Sequence, residues 1–333
     1  MSRAPAKPVL TATLGGAVLV AAVASMLIGP AGLAPRAVLT GLFASDGGTV
    51  GLVVQEIRLP RTVLAIAIGA TLGLGGAALQ GYLRNPLAEP GLIGVSGAAA
   101  LGAVLTLYTG LSAAFALALP LGGMAGAILA VLLVLLLAGR AADTLTLILA
   151  GVAVTSFAAA LTSLALNLAP SPFAALEIVF WLLGSLSGRS IEHVALALPF
   201  MAVGWALIAS VARALDALTL GEEAAQSLGY RLGAVRWRLV IGTALSVGAA
   251  TAVAGAIGFV GLVVPHVLRP FVGHKPSALL PVSALGGAVL LLLADILVRV
   301  VTPGQELKLG VVTSLIGAPF FFALVVRMRR GMA

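Results

Sequence analysis

Long apolar runs separated by short polar connections dominate the chain. Runs with few or no charges cover residues 9–28, 60–82, 93–110, 115–138, 145–169, 193–212, 236–254, 256–272, 278–299 and 306–326. A helix needs about 20 residues to cross the hydrocarbon of a bilayer, so the pattern predicts an all-α, polytopic membrane protein with about ten transmembrane helices. The stretch 236–272 is too long for one crossing, and Gly255 and Gly258 mark the place to turn it. The first run follows Arg3 and Lys7 as a signal peptide would. Its length exceeds a usual signal core, so it reads as a retained span. Three connections exceed a tight turn: 29–59, 170–192 with a short helix over Phe173–Leu186, and 213–235, the most polar stretch of the chain. No linker composition divides residues 1–333, which read as one transmembrane domain.

Composition closes off the soluble alternatives. Apolar residues make up 61% of the chain and charged residues 9%, against about 25% charged in soluble domains. The net charge of +8 raises the question of nucleic acid. The basic residues, however, stand singly or in small groups between apolar runs, with no basic face carrying aromatic platforms, so no nucleic-acid partner is expected. Membrane topology accounts for them instead. Ten spans place both termini on one side. With the N-terminus inside, thirteen lysines and arginines lie inside and six outside, which orients both termini to the cytoplasm.

Chemistry is sparse. With no cysteine, disulfide and thiolate sites are excluded. No G-x-x-x-x-G-K-[ST] run is present, so the chain does not hydrolyse nucleotide itself. His193, His266 and His274 lack metal-site spacing, and no nucleophile–base motif appears. Catalytic residues, metal and cofactor are therefore all expected to be absent. Asp295 is the acid nearest a span centre and sits one turn from Arg299, as a structural ion pair would. A solute carrier driven by an ion gradient would need buried carboxylates or a broken-helix ion site, and a scaffold or sensor a soluble output domain; both rank behind a carrier energised by another chain.

Local patterns suggest where such a carrier works. Gly69, Gly73, Gly76 and Gln80 share one helical face; the glycines suit close packing, and Gln80 needs the bundle interior or a wet cavity. Gln80, Ser156, Ser163 and Asn167 are candidate polar points on an apolar translocation path. Thr219 and Glu222 form a capping-box pattern and Gly229 a C-cap, framing a helix Leu220–Leu228 on the inner face. Pro86 forces the chain to turn after Asn85, at a depth tolerated only beside protein or a water-filled path. Arg58, Arg61 and Arg299 break the inside bias of positive charge, so topology does not explain them.

Several runs resemble the FecCD permease family. They are Arg58-Leu59-Pro60-Arg61, Gly69-Ala70 through Gln80, Arg84-Asn85-Pro86-Leu87-Ala88-Glu89-Pro90-Gly91, Trp181-Leu182-Leu183-Gly184-Ser185, and Leu220-Gly221-Glu222-Glu223-Ala224 to Leu228-Gly229. The most specific is Gly255-Ala256-Ile257-Gly258-Phe259-Val260-Gly261-Leu262-Val263-Val264-Pro265-His266 with Arg269. One departure is Leu307-Lys308-Leu309-Gly310, where the family usually carries glutamate–leucine–proline before a small residue and glycine. The resemblance implies a homodimeric permease of type II ABC importer architecture in the bacterial inner membrane. Its implied partners are a second copy, two ABC ATPase subunits, a periplasmic binding protein, and an iron–siderophore, haem or cobalamin substrate. It further implies a cytoplasmic gate at Asn85, Pro86, Leu87, Thr144 and Leu145. It implies an ATPase-coupling helix over Thr219, Leu220, Gly221, Glu222, Glu223, Ala224, Leu228 and Gly229, and binding-protein docking by Arg58, Arg61 and Arg299.

Overall fold

The computed structural model describes residues 7–43, 48–115, 117–139, 144–301 and 307–332, and among these every regular element is helical. In chain order they are α1 (Lys7–Leu27), α2 (Pro35–Leu42) and α3 (Thr49–Leu52). A π-helical turn (Val53–Arg58) then runs into α4 (Leu59–Tyr82). Next come α5 (Val95–Tyr108), α6 (Ala118–Ala138), α7 (Thr144–Asn167), α8 (Pro172–Leu182), α9 (Ile191–Ser210), α10 (Ala212–Leu218) and α11 (Glu222–Ser227). The chain ends through α12 (Leu232–Ala254), α13 (Val260–Leu268), α14 (Pro276–Val301) and α15 (Leu309–Met332). The connection expected to hold a short helix does so in α8, whose cap Ser171 accepts from the Ala174 N–H at 3.2 Å.

Eight helices among the described residues are long and apolar enough to cross a membrane, and two predicted spans are shorter, Val95–Tyr108 and Val260–Val272. At 1.5 Å per residue such helices fall well short of about 30 Å of hydrocarbon. The missing depth is covered by chain outside the α-helices: a 3-10 turn over Pro90–Ile93 ahead of α5, and the segment 255–259 ahead of α13. The span expected at 256–272 therefore becomes helical only at Val260. Gly255 turns the chain as anticipated (φ +74°), but the second left-handed residue is Phe259 (φ +67°), not Gly258. A bulky side chain rarely takes this conformation. Here the Phe259 backbone lies beside the Glu89 carboxylate, and its side chain packs on the bare backbone of Gly317 in α15.

Helix α4 forms the centre of the bundle, packed against α14, α13, α9 and α12. Its glycine face explains how. A methyl added at Gly69 would strike the Gly287 carbonyl, at Gly73 the Ser283 carbonyl, and at Gly76 the Gly261 carbonyl. The α4 backbone thus lies directly on those of α14 and α13, as small residues allow when lipid offers no hydrophobic drive for helix association. Because the obstacle at Gly73 is backbone, Gly73→Ala is expected to cost about 1–3 kcal/mol, the usual range for overpacking. A melting midpoint of the purified variant equal to that of the unaltered protein would remove this contact from the packing argument.

A second junction lies where α8, α12 and α15 meet. The Ser185 N–H donates to the Ala254 carbonyl at 2.7 Å, and the Gly310 N–H to the Leu183 carbonyl at 3.1 Å. These bonds satisfy backbone groups of broken helix ends that lipid cannot serve.

Candidate functional site

At the end of the bundle where α4 finishes, α10 and α11 form an elbow. The expected capping box is absent. Thr219 Oγ1 donates back to the Asp216 carbonyl at 2.7 Å, and the N-cap of α11 is Gly221, whose φ of +109° suits glycine alone. The helix is accordingly shorter than the expected Leu220–Leu228. Its far end behaves as anticipated: Gly229 is left-handed (φ +87°), and the Tyr230 N–H closes onto the Ala225 carbonyl at 3.1 Å. Leu220 and Leu228 flank the helix at 72% and 63% exposure, while Glu222 and Glu223 are exposed and Ala225 is buried. The Asp216 carboxylate fixes the elbow to α14, accepting from the Ser277 N–H at 2.8 Å and from Ser277 Oγ at 2.6 Å, with Lys275 Nζ 3.4 Å away. The elbow is thus a small knob on a stiff mount.

The same end carries the Asn85-Pro86-Leu87 stretch, at the place where a gate was expected. Asn85 Oδ1 accepts from the Leu87 N–H at 2.9 Å, which folds Asn85-Pro86-Leu87 into a tight turn. The turn leads through Glu89 to Pro90–Ile93, which packs on α7, where Gly151 meets the Leu92 carbonyl. Leu145 is exposed on α7, and the side chain of Thr144 lies outside the described residues. Sequence reasoning passed over Glu89. A carboxylate within an apolar stretch, followed by Pro-Gly, was its signal; it brings the loop after Leu87 beside the Phe259 backbone, at the break between α12 and α13.

Gln80 is 1% exposed and does not join the polar points of α7. Its Nε2 donates to the carbonyls of Gly261 and Leu262, both at 3.3 Å, and its Oε1 accepts from Arg269 Nη2. It lines a cavity of about 260 Å³ with Arg84, Arg269 and His274, consistent with an amide in lipid needing partners. Ser156, Ser163 and Asn167 are exposed along one face of α7 beside Leu149, Val152 and Phe157. That mostly apolar wall is uncovered by the other described residues.

At the opposite end, Arg58, Arg61 and Arg299 converge. The ion pair expected between Asp295 and Arg299 is present (Nη2–Oδ2 2.9 Å), and Arg61 Nε joins it at 2.9 and 3.2 Å from the two carboxylate oxygens. Arg299 Nη1 also donates to the carbonyls of Ser25 (2.8 Å) and Ile28 (2.7 Å), and its Nη2 to Ser25 Oγ (2.7 Å). Arg58 Nη1 donates to the carbonyls of Met26 (2.7 Å) and Leu27 (3.0 Å), and its Nη2 is buried without a partner. Three guanidiniums therefore surround one carboxylate and the C-terminal carbonyls of α1, where the helix dipole favours cations. Arg58 is only 4% exposed.

Among the described residues no three His, Cys, Asp or Glu side chains cluster as metal ligands would. His266 packs edge-on to Phe320, ring centres 5.6 Å apart.

Comparison with known proteins matches residues 17–327 to the model of the FecCD transport family. An uncharacterized ABC transporter permease, YvrB of Bacillus subtilis, is 42% identical over 87% of this chain and 83% of its own length. The vitamin B12 import system permease BtuC of Vibrio cholerae is 39% identical over 82% of each chain. The Fe(3+) dicitrate transport system permease FecD of Escherichia coli is 39% identical over 83% of this chain and 86% of its own. A solved structure reported as an inward-facing conformation of a metal-chelate type ABC transporter superposes with a TM-score of 0.85, at 31% identity, over 96% of this chain and 99% of the other.

Proposed function

Because the chain belongs to the FecCD transport family, and is thus the membrane-spanning permease subunit of an ABC importer, we propose that it carries an iron chelate, haem or cobalamin into the cytoplasm. The observation that carries this reading is the family match across residues 17–327, extended by relatives that serve ferric citrate and vitamin B12. As a transport subunit it is not an enzyme; ATP hydrolysis belongs to separate ATPase subunits.

In the proposed assembly two copies face each other through the uncovered walls of α7 and α15, each copy a single permease domain. The chelate passes between them, over Ser156, Ser163 and Asn167. The end bearing α11 is cytoplasmic, as are both termini, in the bacterial inner membrane. There the ATPase receives Leu220 and Leu228, and the turn Asn85-Pro86-Leu87 with Thr144 and Leu145 closes the path. The arginine cluster faces the periplasm and receives carboxylates of the binding protein. Its excess of positive charge and the unpartnered Arg58 Nη2 support that role.

The test of the whole reading is uptake into proteoliposomes holding the permease, its ATPase and its binding protein. ATP is expected to drive entry of ferric citrate, a ferric hydroxamate, haemin or cyanocobalamin. Uptake driven by an ion gradient without the ATPase would overturn it. The docking role has its own test. Arg58→Gln is expected to weaken capture of the binding protein about fivefold at low ionic strength, by removing the unpartnered Nη2 and its charge, with the difference fading in high salt. Equal affinity at low salt would take Arg58 out of the docking surface.

A further inference from the structure

Beside α8 a hollow of about 540 Å³ opens between that helix, the connection to α9 and the start of α15. It lies at the same end of the bundle as the arginine cluster. Phe173, Phe180 and Trp181 of α8 give it an aromatic wall, and Arg189 and Lys308 give it two cations. Lys308 Nζ stands 5.6 Å from the centre of the Phe180 ring, within cation–π range. Among the described residues the lining also holds one carboxylate, Glu177, against these two cations. Trp181 Nε1 and Arg189 Nε are buried with no hydrogen-bond partner. Leaving such donors unmatched is costly, and burial lowers the Arg189 pKa from its ordinary value by desolvating the cation. Immediately beyond, at Leu182 and Leu183, a second hollow of about 680 Å³ continues along α15 past Ala318 to Phe322 with an apolar lining.

Taken with the importer reading, on which it rests, we propose that this aromatic, cationic hollow is the entry subsite of the permease, selecting an anionic metal chelate over a neutral one. The volume matches that of sites for small ligands. Anionic oxygens of the chelate meet Arg189 and Lys308, charge-assisted contacts that a neutral ligand cannot make. Its apolar parts lie on Phe180 and Trp181 and then against the apolar hollow, which leads to the α15 wall. A neutral chelate would gain only the apolar contacts and would offer no anionic oxygen to Arg189, whose Nε is buried without a partner.

The test is equilibrium dialysis of four probes against the purified permease in phosphatidylcholine nanodiscs: ferric dicitrate and haemin as anionic chelates, ferrichrome and cyanocobalamin as neutral ones. At least one anionic probe is expected to bind about tenfold or more tightly than either neutral probe, and more weakly at high salt. Arg189→Gln with Lys308→Met is expected to erase that preference, Arg189→Lys with Lys308→Arg to keep it, and Arg36→Gln, a charge change in α2, to leave it intact. A retained size-exclusion profile identifies folded variants, and the charge-conserving pair keeps the test decisive if the neutral pair does not fold. Equal or tighter binding of a neutral probe, an unaltered preference in the charge-removed pair, or no binding of any probe would overturn the proposal. ATP-driven uptake of a neutral chelate would sink this inference while leaving the importer reading standing. Failure of all four probes to enter with ATP would sink the importer reading itself.

Discussion

Asp295→Ala is expected to destabilise the protein by about 3–5 kcal/mol, the cost of breaking a buried ion pair from one side. Asp295 is 1% exposed, and its carboxylate separates Arg61 Nε and Arg299 Nη2, each 2.9 Å away. Without it, two nearly buried guanidiniums repel each other and Arg58 across a site of low dielectric. The damage should spread to α1, because Arg299 and Arg58 together hold the carbonyls of Ser25, Met26, Leu27 and Ile28. Loss of the carboxylate is therefore expected to loosen the C-terminal end of α1 as well as lower the melting midpoint. Both can be followed, by thermal unfolding in detergent and by labelling of a cysteine placed at Ile28. Asp295→Asn keeps the shape and one acceptor oxygen and should fall between the two. Melting of Asp295→Ala at the temperature of the unaltered protein would refute the claim that this carboxylate holds the cluster together.

That cluster also marks the boundary of what the sequence disclosed. Hydropathy alone located the spans, because a lipid-facing helix has to be apolar over a fixed length. The pair Asp295–Arg299 was legible because it lies one helical turn apart. The partners from α1 and α4 were not, since 234 residues separate Arg61 from Asp295 and 274 separate Ser25 from Arg299. No local pattern encodes such neighbours. The two short spans misled for another reason. Apolar composition continues through the segments outside the α-helices at Pro90 and Ala256, so hydropathy sees no break where the backbone has one. Gly258 looked like the turning residue on intrinsic freedom; tertiary contacts with Glu89 and Gly317 moved the left-handed conformation to Phe259. At the elbow the Thr219–Glu222 spacing was right for a capping box, but Thr219 closes the last turn of α10 instead. The position of the short helix survived that error, because Gly221 and Gly229 bound it by backbone conformation.

Those two glycines carry the second large effect. Gly221→Leu is expected to cut ATP-driven transport by about tenfold or more while hydrolysis by the ATPase continues. The reason is conformational and not steric. No atom lies within 4 Å of an added Cβ at Gly221, so a side chain there has room, but its φ of +109° is one that residues with a Cβ resist. Relief of that strain, of the order of 1–3 kcal/mol, would rotate α11 out of its set direction. It would carry Leu220, Glu222 and Glu223 with it, while the ties from Asp216 to Ser277 keep α10 on α14. Motion of the ATPase would then reach a knob pointing the wrong way. Glu222→Lys approaches the same element through charge and is expected to uncouple it in the same sense, since it reverses an exposed carboxylate in the first turn of α11. Gly233→Leu is the matched control. It also has open space around its Cβ but lacks the positive φ, and it lies in α12 near the same end, so it should transport normally. Coupled transport by Gly221→Leu at the rate of the unaltered protein, in a complex that still contains its ATPase, would show that α11 does not carry the force.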